Sequence, residues 1–138
     1  MDLVTHAIVG AATGSVFGRP VLGAVCAVLP DLVLGVRRRA LPTQLYSVTH
    51  SLLFSVWLGI TLAPLDNGVA GLCGALAVLS HIAIDLPTHG KDWAPPLFYP
   101  YSLKRYSFGV EWEFFNASWY KGAAISTIWV ITCLLFKL

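Results

Sequence analysis

In the stretch "LSHIAIDLPTHG", His81, Asp85 and His89 stand four residues apart. On a helix, positions i and i+4 share a face, so His81 and Asp85 project toward a common point. Three more ionisable groups lie in apolar surroundings: His6 in "VTHAIVGA", Asp31 in "VLPDLVLG" and His50 in "SVTHSLLF". Neutral imidazoles and carboxylates together are a donor set for a divalent cation. Without thiolates they suit zinc, or manganese or iron, better than a sulfur-rich structural site. An ion held this way activates a water and polarises a phosphoryl or carbonyl centre, with Asp31 or Asp85 as ligand or as the base that takes the proton. Four histidines and two aspartates exceed the three protein ligands usual for one open catalytic metal. Either two ions bind, or some of the six groups orient the others.

The chain that must position these groups has an unusual composition. Of its 138 residues, 57% are hydrophobic and 12% charged, against roughly 45–50% and 25% in soluble domains. That balance indicates a membrane protein. A net charge of +2 is no electrostatic footprint for nucleic acid, and no such partner is expected. Cys26, Cys73 and Cys133 sit in apolar runs without CxxC spacing and read as packing residues, not disulfides.

Five apolar segments run about Leu3 to Phe17, Val21 to Val36, Ser47 to Ala63, Val69 to Leu86 and Ser118 to Phe136. They predict an all-α fold, a single integral membrane domain over residues 1–138. Its form is a polytopic bundle of about five short transmembrane or partly re-entrant helices. Several fall below the roughly 20 residues of a straight span, so the first two read as a tilted or partly re-entrant hairpin turned at Gly18, Arg19 and Pro20. Pro64, Asp66, Asn67 and Gly68 form a tight connection that makes the third and fourth segments antiparallel. Residues 87–117 are one polar and aromatic interfacial excursion, with Trp93, Tyr99, Tyr101 and Tyr106 expected at headgroup level. The first segment follows Asp2 and lacks a basic flank, so it reads as a bundle helix and not as a signal peptide. Gly10, Gly14 and Gly18, and Gly71 with Ala75, recur every four residues, a spacing that lets helix backbones approach closely in lipid. The same faces offer a route to a homodimer.

Alternation of the segments across a bilayer places Arg37, Arg38, Arg39, Lys91, Lys104, Arg105 and Lys121 on one side, against Arg19 and Lys137 on the other. The basic bias marks the first side as cytoplasmic. His6, Asp31, His50, His81 and Asp85 all fall within roughly 8 Å of that boundary by helical rise, with His89 just beyond. An ionisable group inside the bilayer costs roughly 2.5–3.5 kcal/mol, so such groups face a partner or a polar cavity. A shared cation at one depth meets that requirement. Lys104 and Arg105, or Arg37, Arg38 and Arg39, are candidates to meet a substrate phosphate. The arginine triplet reads first as a topology determinant and a contact for lipid phosphates. A lipid headgroup is the most accessible substrate.

The four quoted motifs, in order over about the first 100 residues, resemble those of the YdjM-like membrane-bound metal-dependent hydrolases. The resemblance implies an inner-membrane hydrolase with His6, Asp31, His50, His81, Asp85 and His89 at a metal site. Many relatives resemble "PDxD", whereas Leu32 and Val33 follow Asp31 here, so a second carboxylate is missing and the count favours fewer ions. The His-x3-Asp pattern of "HIAID" is similar to that of zinc phospholipase C and P1-type nucleases, which implies phosphoester hydrolysis. Two rival readings use the same residues: a metal-ion transporter, and a non-catalytic lipid- or partner-binding protein whose metal staples helices.

Overall fold

The computed structural model describes residues 3–32, 42–108 and 119–137, and all regular structure among them is helical. Helices α1 (Leu3–Val16) and α2 (Pro20–Leu32) form a hairpin. Gly18 closes α1 with a left-handed φ of 68°, which a residue with a Cβ adopts only under strain. The turn is held by Arg19 N–H on the Gly14 carbonyl at 2.8 Å, and Pro20 opens α2 where no N–H is needed. The two backbones touch. A Cβ placed on Gly23 would lie 2.7 Å from Gly14 Cα, so only glycine fits at this crossing. The Gly71 and Ala75 face closes in the same way on Gly59. Gly10, Gly14 and Gly71 are therefore in contact inside the protomer, while Gly18 is open.

The predicted segment from Ser47 to Ala63 is two helices, α3 (Gln44–Thr49) and α4 (Leu52–Leu62), followed by a 3₁₀ turn at Ala63–Leu65. The break has a local cause. Thr43 caps α3, its side chain accepting from Tyr46 N–H, and Ser51 caps α4 by accepting from Phe54 N–H at 3.2 Å. Ser51 has extended backbone, which separates α3 from α4. Helix α5 (Val69–Thr88) then runs two residues past its expected end, through Pro87, because a proline in the last turn removes only one backbone bond. His89 caps it, with its N–H on the Asp85 carbonyl at 3.0 Å. Helix α6 (Trp119–Lys137) completes the bundle, close to its expected limits.

Helix α5 lies at the centre, against α1, α2 and α4, while α6 packs on α1. The interior is built from small residues, with Cys26, Ala27, Ala77 and Val78 packed beside Leu58 and Ile82. Large apolar side chains face outward, among them Val21 at 75% exposure and Phe136 at 80%. Small residues within and bulky ones outside is the arrangement expected of helices in lipid, where close backbone packing replaces the hydrophobic drive. Among the described residues only Val69–Thr88 is long and apolar enough to cross a membrane by itself; the other apolar helices are shorter. The expected polytopic count is therefore not carried by helix length.

At the end of the bundle remote from the histidines, Arg19 pairs with Asp66 and ties the α1–α2 turn to the start of α5. Both side chains are substantially exposed, so the pair adds little. Arg19→Ala is expected to change stability by less than about 1 kcal/mol, as thermal unfolding in detergent would show.

The excursion is fastened at several points. Leu52 N–H bonds the Leu97 carbonyl at 2.9 Å, Phe108 N–H the Leu86 carbonyl at 2.9 Å, and Ser107 hydroxyl the His89 carbonyl at 2.8 Å. Within it, Pro95 and Pro96 are buried. Of the expected headgroup aromatics, Tyr101 is fully outward at 89% exposure. Trp93 instead turns inward, edge-on to Tyr46 with ring centres 5.3 Å apart.

Candidate metal centre

Three helices and the break between two others deliver the six groups singled out in the sequence to one place. His6 comes from α1, Asp31 from the last turn of α2, His50 from the break between α3 and α4, and His81, Asp85 and His89 from the end of α5. His6, His50, His81 and Asp85 have no solvent exposure, while the side chains of Asp31 and His89 are exposed by 23% and 17%. Asp85 stands in the middle. Its Oδ1 lies 3.2 Å from His6 Nε2 and 3.2 Å from His89 Nδ1; its Oδ2 lies 3.1 Å from His81 Nε2 and 3.5 Å from His50 Nε2. Asp31 Oδ1 approaches His50 Nε2 to 3.4 Å. The rings of His6 and His81 stack with centres 3.7 Å apart.

Hydrogen bonds at the far side hold two of the rings. His81 Nδ1 is 2.6 Å from the Ala27 carbonyl, and His50 Nδ1 is 3.1 Å from the Tyr46 carbonyl. A carbonyl oxygen only accepts, so Nδ1 of His81 carries the hydrogen and Nε2 of the neutral ring a lone pair, while His50 Nδ1 also has the Thr49 hydroxyl at 3.0 Å, which both donates and accepts. The two Nε2 atoms face each other at 3.1 Å, beside Asp85 Oδ2. Neither oxygen of Asp85 and neither nitrogen of His6 has a hydrogen bond among the described residues. Buried polar atoms left this way cost roughly 1–3 kcal/mol each, and more when charged.

A cation resolves the conflict. Two donor atoms about 2.0–2.2 Å from one zinc ion stand roughly 3–3.5 Å apart, which is the spacing observed here. Two sets of three, His6 with His81 and Asp85, and Asp31 with His50 and His81, have ligand atoms close enough to share an ion. The residues present therefore fit a divalent metal by chemistry, spacing and unmet bonding capacity.

The family model for the YdjM inner membrane protein matches residues 1–138, the whole chain. The chain belongs to the YdjM inner membrane protein family. It is accordingly a membrane protein. No curated protein and no solved structure matches it.

The basic residues of this YdjM-family protein divide. Lys104 is exposed, with its ammonium over the Tyr106 ring at 5.3 Å. Arg105 is partly buried; it donates to the Ala94 carbonyl at 3.0 Å and lies over the Tyr46 ring at 5.8 Å. Since Tyr46 stacks on His50 with centres 3.8 Å apart, Arg105 is one ring removed from the histidines. Arg37, Arg38 and Arg39 lie outside the described residues.

Sequence reading overlooked Tyr46, Thr49 and the backbone of α2. The Tyr46 hydroxyl donates to the Trp93 carbonyl, and the Thr49 hydroxyl donates to the Pro30 carbonyl at 3.3 Å. The phenol thus ties the excursion to the helix that carries His50. The available signal was the spacing of Tyr46 and His50, four residues apart on a short capped helix. Tyr46→Phe keeps the stacked ring and loses only the hydroxyl bond. It is expected to lower stability by about 1 kcal/mol and leave metal content unchanged, as paired thermal unfolding and elemental analysis would show.

Proposed function

We propose that this protein is a membrane-embedded, metal-dependent hydrolase that cleaves a phosphoester of a lipid or similar substrate at the cytoplasmic face of the inner membrane. The observation that carries the reading is the facing pair of Nε2 atoms of His50 and His81 beside a buried carboxylate. The chemistry a bound divalent ion supplies is the lowering of a water's pKa toward neutrality and the polarising of a phosphoryl oxygen. Zinc suits this donor set best, and manganese and iron share it.

The chain's own residues take distinct parts. Asp85, enclosed by four imidazoles, is a ligand and has no face left for substrate. Asp31 is the carboxylate with solvent access, so it is placed to accept the proton of an attacking water. Ala27 and Tyr46 carbonyls hold the His81 and His50 rings with Nε2 inward. Arg105, charged and partly buried next to Tyr46, is placed to meet an anionic headgroup at the rim.

The test starts with elemental mass spectrometry on detergent-purified protein, beside His81→Ala checked for folding. Near-stoichiometric zinc, manganese or iron is expected in wild type and its loss in the variant. Metal-loaded protein is then given vesicles of phospholipids with different headgroups, and released phosphate and headgroup are measured. Wild type that is folded but metal-free after resupply would remove the metal reading. Metal-loaded protein that releases neither product from any headgroup would remove the hydrolase assignment.

A further inference from the structure

We propose that the outer turn of the excursion, Phe98 to Phe108, is seated in the lipid leaflet, where Lys104 meets the phosphate of anionic lipids. The inference concerns a membrane contact and depends neither on an ion nor on hydrolysis. Its ground is an inversion of side chains. The excursion buries Ala94, Pro95 and Pro96 and turns large apolar groups outward, Leu103 at 74% exposure and Phe108 at 72%, with Phe98 and Tyr101 exposed as well. Water disfavours such a surface, and the bundle helices carry the same inversion, small residues within and bulky ones outside.

Contacts within the turn join the parts of this surface. Phe98 lies edge-on to Tyr106 with ring centres 5.8 Å apart, and the Lys104 ammonium is 5.3 Å from the centre of the same Tyr106 ring. Ser102 N–H closes the turn on the Phe98 carbonyl at 3.0 Å. Two further bonds fasten it to the helices: Gln44 Nε2 donates to the Tyr99 hydroxyl at 3.0 Å, and Leu52 N–H to the Leu97 carbonyl at 2.9 Å. Next to these anchors in the chain, Leu45 of α3 and Leu53 of α4 are exposed. The apolar surface of the turn thus continues onto helices of a membrane protein.

Backbone chemistry permits the contact. A peptide group that enters lipid needs a partner. The N–H groups of Tyr99, Ser102, Tyr106 and Phe108 are bonded to backbone carbonyls, that of Lys104 to the Ser102 hydroxyl, and Pro100 has none. Charge then selects the lipid. The two charged residues between Phe98 and Phe108, Lys104 and Arg105, are both cationic. Arg105 is tied to the Ala94 carbonyl, whereas Lys104 is exposed, so the lysine is the cation that reaches a lipid phosphate.

The experiment attaches a nitroxide at Leu103→Cys in the full chain, reconstituted in vesicles of phosphatidylethanolamine and phosphatidylglycerol. Cys26, Cys73 and Cys133 are buried, and unsubstituted protein carried through the labelling supplies the background. Paramagnetic resonance compares relaxation of the label by oxygen, which concentrates in lipid, with relaxation by a water-soluble nickel chelate. Oxygen is expected to act several-fold more strongly than the chelate, as at Ile60→Cys on the outer face of α4. Phe108→Cys repeats the measurement at a second exposed position. A label relaxed mainly by the chelate would place the turn in water, and one shielded from both would place it under a second copy or another protein; either result overturns the proposal. Raising the phosphatidylglycerol fraction is expected to increase the ratio of oxygen to chelate effect, and to leave it unchanged when Lys104→Gln is added. An equal response with and without the lysine would overturn the anionic-lipid contact. Neither readout depends on bound metal, so this proposal and the hydrolase reading fail separately.

Discussion

Asp85→Asn is expected to empty the centre and reverse the protein's response to chelator. The carboxylate has four imidazoles within 3.5 Å and no hydrogen-bond donor of its own, so its charge is balanced by whatever sits between them. Asparagine keeps the volume but withdraws the charge and one acceptor. Loss of a supporting residue alone costs about 10–100-fold in metal affinity, and loss of this ligand is expected to exceed ~100-fold. At a free metal concentration ~100 times the wild-type Kd, binding stabilises wild type by about 2.7 kcal/mol, an increment the variant lacks. In chelator the order changes. The metal-free wild type keeps an uncompensated buried carboxylate, which the variant does not, so Asp85→Asn should then be at least as stable. Thermal unfolding of both proteins with zinc and with chelator checks this. A variant less stable by the same margin in both conditions would mean that Asp85 acts through ordinary packing, not through an ion.

The second large effect is expected from Gly23→Val, far along α2 from the histidines. The first atom of the new side chain would meet Gly14 Cα at 2.7 Å and Gly14 N at 2.8 Å, and backbone cannot move aside as a flexible side chain does. The helices must part. Overpacking of this kind costs typically about 1–3 kcal/mol, and more where backbone is the obstacle. The consequence for the site is separate: α1 carries His6 and α2 carries Asp31, so parting the hairpin pulls two donors away from α5. Metal content should fall together with stability. Gly18→Ala is the comparison, because nothing lies within 4 Å of the added methyl and only the left-handed backbone is strained. It is expected to cost about 1 kcal/mol and keep the metal. Elemental analysis and unfolding of both variants separate the two effects, and full metal content in Gly23→Val would refute the backbone contact as the element that sets the site.

Much of this was legible in the chain itself. A composition of 57% hydrophobic residues with 12% charged indicated a membrane environment, and the family match agrees with it. The helical class, the approximate limits of α1 and α6 and the start of α5 followed from apolar runs bounded by glycine, proline and polar turns. The break at His50 was harder to see. An apolar run continues across it, and the two capping residues, Thr43 and Ser51, are common outside caps as well. Likewise Pro87 looked like the end of α5, although a proline costs little in a final turn.

By itself, then, the sequence determined the solvent, the helical class and a set of imidazoles and carboxylates at one depth, because composition and spacing act within each segment. Only the tertiary structure decided which nitrogen of His81 faces inward, since the Ala27 carbonyl that sets it lies on another helix. It alone decided how Asp85 divides its oxygens among histidines from α1, the α3–α4 break and α5. Hydrogen-bond direction and ligand geometry depend on contacts between segments far apart in the chain, and periodicity within one segment carries no information about its neighbours.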